Sequence, residues 1–105
     1  MKNRMIKVGT VVPRMKVANV TYNVAQIIQT MNENADAGFL VYPELCLTGY
    51  TCGDLFGQFT LLDAVEDGLF KIANASNKLE GLTVVVGAPL RFENHLYNCA
   101  VYISE

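Results

Sequence analysis

The 105 residues are enough for one domain, and eight basic against ten acidic side chains leave a net charge of −2. Half of the residues are apolar (51%) and 17% are charged, so a packed core is expected and disorder is not. The basic residues are scattered without a nucleic-acid stripe, and no apolar run approaches the ~20 residues that span a membrane. Met1-Lys2-Asn3-Arg4 is basic but leads into no apolar signal segment. Three cysteines without a framework spacing fit a reducing compartment, so the expected location is cytoplasmic.

In chain order, Met5 to Val12 is β-rich and ends at Pro13, which predicts a first strand. Asn19 is placed to cap a helix in which Val20, Val24, Ile27, Ile28, Met31 and Ala35 recur at helical spacing, with Gly38 closing it. Phe39 to Tyr42 predicts a second strand, stopped by Pro43. Leu45 to Gly57 reads as a loop with a short helical turn at Asp54-Leu55-Phe56. Thr60 and Asp63 form a variant capping box for a second helix, whose apolar face is Leu61, Leu62, Val65, Leu69, Ile72 and Ala73. Gly68 is out of place inside that helix, and Gly81 ends it. Leu82 to Val86 predicts a third strand, broken by Gly87-Ala88-Pro89. A turn at Glu93-Asn94-His95 leads to a fourth strand, Leu96 to Ile103.

The fold class is therefore α/β, with the order β-α-β-α-β-β. Alternation of strands and helices predicts parallel pairing through right-handed crossovers, and the short last turn predicts an antiparallel fourth strand. The third and fourth strands are apolar on both faces, which demands cover on both sides of the sheet. Either the two helices split between the faces or something else covers the second one. That demand, and a chain that stops at Ser104-Glu105 directly after a strand, predict a part of a larger domain.

The run Phe39-Leu40-Val41-Tyr42-Pro43-Glu44-Leu45-Cys46-Leu47-Thr48-Gly49-Tyr50 stands out. It places a carboxylate, Glu44, at the C-terminal end of a core strand, where α/β proteins hold reactive groups. Taken alone, Glu44 also reads as an ordinary solvated carboxylate. Cys46, Cys52 and Cys99 lack metal-ligand spacing and only His95 could assist them, so no metal site is expected. Cys99, in an apolar strand, reads as a small buried hydrophobe. Gly49, Gly53 and Gly57 match no phosphate-loop fingerprint. Asp54 reads as a cap, His95 as a solvated turn residue, Lys71 and Lys78 as the polar side of the second helix, and Asn23 and Asn98 as structural hydrogen-bonders.

This run resembles the first motif of the nitrilase, or carbon–nitrogen hydrolase, superfamily: an apolar strand, Pro-Glu-Leu, a small residue and Thr-Gly-Tyr. Cys52-Gly53-Asp54-Leu55-Phe56 resembles the glutaminase domain of glutamine-dependent NAD synthetases in particular. Asn23, Val86-Gly87-Ala88-Pro89-Leu90 and Leu96-Tyr97-Asn98-Cys99-Ala100 match in order, so the resemblance covers nearly the whole chain. It implies that residues 1–105 are the N-terminal part of an α-β-β-α sandwich, a partial glutaminase domain without the synthetase domain. It further implies amide hydrolysis by a glutamate, lysine and cysteine, with Glu44 as the general base that takes the thiol proton. The lysine and the cysteine would follow Glu105, so the chain by itself is expected to hydrolyse nothing. Tyr50 has two readings, a residue lining the substrate pocket or a loop aromatic packed over the strand ends. The implied substrate is glutamine. The glutaminase part needs no cofactor, ATP and magnesium belong to the absent synthetase domain, and a homo-oligomer is expected. Two rivals stand beside this reading: another amidase of the superfamily, and a non-catalytic association module made adhesive by an uncovered sheet face.

Overall fold

The computed structural model describes residues 7–49, 59–79, 81–93 and 95–104. The elements are β1 (Val8–Thr10), α1 (Val20–Glu33), β2 (Phe39–Val41), α2 (Phe59–Asn77), β3 (Thr83–Phe92) and β4 (His95–Ile103). They follow the order expected from the alternating pattern. The four strands form one sheet in sequence order, with β1, β2 and β3 parallel and β4 antiparallel to β3.

α1 begins where the polar side chain before its apolar stripe predicts. Asn19 Oδ1 accepts from the Tyr22 backbone N–H at 3.0 Å, satisfying a donor the helix itself cannot. Val20, Val24, Ile27 and Met31 are buried along one face. The helix ends earlier than Gly38. Asn34 terminates it, with its backbone N–H on Thr30 O and Met31 O and its Nδ2 on Thr30 O at 2.8 Å. Ala35 therefore lies past the helix and is exposed, and Ala37 takes the buried place instead.

α2 buries Leu61, Leu62, Val65 and Ile72. Thr60, one half of the capping pair expected with Asp63, lies outside the described side chains, and Asp63 is exposed. Gly68 is explained by the crossing of the two helices. A Cβ there would sit 2.7 Å from Val24 Cγ2 and 3.3 Å from Val20 Cγ1, so the missing side chain lets α2 lie against α1.

Both helices pack on the same face of the sheet. Their apolar stripes meet Leu40, Val84, Val86, Ala88 and Ile103 in one core. Register places Leu40, Val84 and Ile103 in a single row. The neighbouring rows point the other way. Phe39, Val41 and Val85 are only half-buried there, and Val8 and Tyr102 are 61% and 64% exposed. The helices thus do not split between the faces, and among the described residues the second face is open. The rings of Phe39 and Tyr102 meet on it at 6.0 Å.

Two further expectations are corrected. β3 does not break at Gly87-Ala88-Pro89 but continues to Phe92. β2 pairs with β3 only as far as Val85, so among the described residues the later part of β3 has a strand partner on the β4 side alone. The backbone groups of Val85 and Gly87 point away from β4, and alternation gives Pro89 the same direction. Its missing N–H falls where no ladder bond is due, so the proline is tolerated. Cys99 is half-buried rather than buried, because β4 reaches past the helices and most of it is exposed.

Candidate active site

The segment after β2 is built onto the side of β3. Tyr42 N–H still bonds Val85 O at 2.9 Å, as a fourth strand residue would. Its side chain turns to the helical face, where the hydroxyl lies 2.7 Å from Thr30 Oγ1 and 3.2 Å from Ile27 O. Burial raises the Tyr42 phenol above its ordinary pKa, with the Thr30 hydrogen bond acting in the opposite direction. The tyrosine therefore ties the end of β2 to the middle of α1.

Beyond Tyr42 the chain crosses directly over Gly87. A Cβ at that position would lie 2.3 Å from Leu45 N and 2.8 Å from both Glu44 C and Pro43 O. Only glycine lets Pro43-Glu44-Leu45 approach so closely. Leu45 then takes φ +53°, a left-handed conformation that a leucine adopts only when its surroundings hold it there. The following residues do so. Leu47 N–H donates to Gly87 O at 3.3 Å, and Thr48 and Gly49 N–H donate to Leu45 O at 3.1 and 2.7 Å.

Two buried side chains complete the anchoring. Cys46 Sγ accepts from Gly87 N–H at 3.4 Å and faces Gly87 O at 3.7 Å. Burial pushes its thiol up to about 11, which makes it an inert packing residue and a poor nucleophile. Asn23 in α1 donates Nδ2 to Lys16 O and Leu47 O, both at 2.8 Å, and accepts from Lys16 N–H at 2.7 Å. One amide thus joins the β1–α1 connection, α1 and the turn after Glu44.

Glu44 itself is exposed on the open sheet face. Its Oε1 accepts from Asn98 Nδ2 at 2.6 Å. The carboxylate borders an open cleft of about 320 Å³, walled by Val41, Val85, Gly87, Asn98 and Ala100. A base held by a rigid sheet beside an accessible cleft can take a proton from a group brought into that cleft.

Of the candidates read from the sequence, Glu44, Asn98 and Cys99 line this cleft. Tyr50 lies outside the described residues, as do Cys52 and Asp54. His95 is on the far end of the β3–β4 hairpin, with its ring 6.3 Å from that of Tyr97, and Lys71 and Lys78 are exposed. Among the described residues no three His, Cys, Asp or Glu side chains are grouped to hold a metal ion. The sequence reading missed the meeting of Glu44 and Asn98. The available signal was parity within the hairpin: Asn98 is two residues from Ala100 and four from Tyr102, so all three share the open face.

This arrangement, a mixed sheet with helices on one face and Pro-Glu at the end of the second strand, is the class of fold seen in nitrilase-type carbon–nitrogen hydrolases. A probable nitrilase of Schizosaccharomyces pombe is 27% identical over 97 residues, covering 86% of this chain and 35% of that protein. Within the class, the similarity is to glutamine-dependent NAD(+) synthetases. The one from Mycobacterium leprae is 36% identical over 100 residues, covering 93% of this chain and 15% of the relative. The crystal structure of the one from Cytophaga hutchinsonii superposes with a TM-score of 0.84 at 31% identity, over 93% of this chain and 17% of that one. The structure of the Acinetobacter baumannii synthetase in complex with ADP shares the fold, with a TM-score of 0.67 at 21% identity, over 88% and 18% of the two chains. No protein-family model matches the chain. The chain spans 15% of the length of the synthetases it matches by sequence.

Proposed function

We propose that residues 1–105 are the N-terminal part of a glutamine amidohydrolase domain. In the whole protein this domain supplies ammonia for ATP-dependent amidation of nicotinic acid adenine dinucleotide to NAD. The observation that carries the reading is Glu44. It sits at the end of β2, beside a cleft on the open face, within a stretch similar to glutamine-dependent NAD(+) synthetases.

Glu44 acts as the general base. It takes the proton of a cysteine thiol as the sulfur attacks the glutamine carboxamide carbon, and it returns that proton to the departing ammonia. Water then releases glutamate from the thioester. A lysine stabilises the oxyanion of each tetrahedral intermediate. The cysteine and lysine come from outside these residues, so the 105-residue chain alone is inactive. Tyr50 lines the glutamine pocket. A second β-sheet covers the open face, as an α-β-β-α sandwich requires. No cofactor is needed for glutamine hydrolysis, and ATP with magnesium belongs to the synthetase part. The ADP complex of the Acinetobacter protein supports the nucleotide half of that statement. The protein works in the cytoplasm as a homo-oligomer, without nucleic acid or membrane.

The test is Glu44→Gln in the full-length protein. Glutamine-dependent NAD synthesis and ammonia release from glutamine should fall at least about 1,000-fold, as when one member of a catalytic unit is removed. NAD synthesis from added ammonium should be unchanged. Retained glutaminase activity overturns the role of Glu44. The similarity to a nitrilase supports a second reading, an amidase of the same superfamily acting on another amide. Failure of the full-length protein to make NAD from ammonium would select it.

A further inference from the structure

We propose that Asn98 is the positioning residue for Glu44: its amide pins one carboxylate oxygen and leaves the other to receive the proton. The proposal rests on the reading of Glu44 as a base. A carboxylate on an exposed side chain has free rotamers, and a base must be held within about half an ångström to work efficiently. Asn98 supplies the restraint, donating Nδ2 to Oε1 at 2.6 Å from a residue 54 positions away in the chain.

Asn98 is placed to do this by the longest strand pairing among the described residues. β3 and β4 are in register from Val84↔Ile103 to Phe92↔His95, and Asn98 lies opposite Pro89. Gly87, two residues before Pro89, is where the Glu44 backbone rests on β3. One strand pair therefore holds both the backbone of Glu44 and the partner of its side chain. Two rigid attachments fix the carboxylate beside the cleft. The residue type also suits the task. An asparagine amide donates two N–H bonds at neutral pH and does not titrate, so it orients the base without competing for the proton.

The test uses the full-length protein and three variants. Asn98→Leu keeps the size and removes the donor. Its kcat for glutamine hydrolysis should fall about 10- to 100-fold, the usual effect of losing a group that orients a reacting residue, with KM changed less than about twofold. NAD synthesis from added ammonium should be unchanged. Asn98→Asp keeps the shape but donates only when protonated. Two carboxyls at that separation share one proton, so its deficit should grow as pH rises, whereas the deficit of Asn98→Leu should not. Unchanged kcat in Asn98→Leu overturns the proposal, as does a change confined to KM, which would make Asn98 a substrate contact. Should the leucine variant fail to fold, Asn98→Asp decides alone, and a deficit independent of pH overturns the proposal. Glu44→Gln separates the two levels. If it is fully active, the underlying reading fails. If it is inactive while Asn98→Leu is normal, only the positioning role fails.

Discussion

Replacing Gly87 with alanine should damage stability and site together, and the size of both effects follows from three contacts. The added Cβ would lie 2.3 Å from Leu45 N, where an ordinary contact begins at 3.4 Å. The neighbouring atoms, Glu44 C and Pro43 O at 2.8 Å, are also backbone and cannot rotate away. The Pro43-Glu44-Leu45 segment must therefore retreat by about 1 Å. Forced overpacking of this kind costs about 1–3 kcal/mol. The retreat also stretches the Leu47 N–H to Gly87 O bond, already 3.3 Å, and the Gly87 N–H to Cys46 contact, for about 1 kcal/mol more. Together these make about 2–4 kcal/mol, a large share of the ~5–15 kcal/mol that holds a typical domain. Urea unfolding followed by circular dichroism should show a midpoint lowered by about 1–2 M at unchanged slope. On the role proposed for Glu44, glutamine hydrolysis by the full-length protein should fall about 100-fold, since its carboxylate has moved by an ångström. A Gly87→Ala variant with wild-type midpoint and wild-type glutaminase activity would refute the close crossing on which this account depends.

Asn23→Ala removes three hydrogen bonds and leaves the buried Leu47 carbonyl without its side-chain donor. It should destabilise the protein by about 2–4 kcal/mol, and a urea midpoint within error of wild type would contradict the tether. Alkaline titration should reveal Cys46. Its pKa stands raised from 9.0 to about 11, so its contribution to stability is complete below pH 9 and is lost as pH climbs to about 11. That window is worth at most about 3 kcal/mol, and the raised phenol of Tyr42 adds loss in the same direction at higher pH. Cys46→Ala should flatten the fall between pH 9 and 11, and an unchanged slope would show that the thiol is not the titrating group.

Much of this architecture is legible locally. The N-cap at Asn19, the stripe Val20-Val24-Ile27-Met31 and the strand ending at Pro43 are each set by neighbours within a turn or two, and the periodicity carries them. What escaped depends on contacts distant in sequence. Pro89 looked like a strand breaker because its tolerance is decided by β2 having already ended beside it. Cys99 looked buried because an apolar strand does not reveal that its helical cover stops short. Gly38 looked like the helix stop because the competing cap, Asn34, acts through a side chain as well as its backbone. Glu44 was recognisable from its own motif, whereas its partnership with Asn98 exists only once the β3–β4 register is set.

The difference in length between β2 and β3 has a consequence for how the protein fails. β2 has three residues and β3 has ten, so β3 would present a bare row of N–H and C=O groups past Val85. Such a row is a template on which another chain can add a strand. Tyr42, Cys46 and Leu47 occupy it, through bonds to Val85 and Gly87. The segment that carries Glu44 therefore also guards a sheet edge. Substitutions that loosen it would uncover that edge at the same time, so loss of the role proposed for Glu44 and self-association would arise from one lesion.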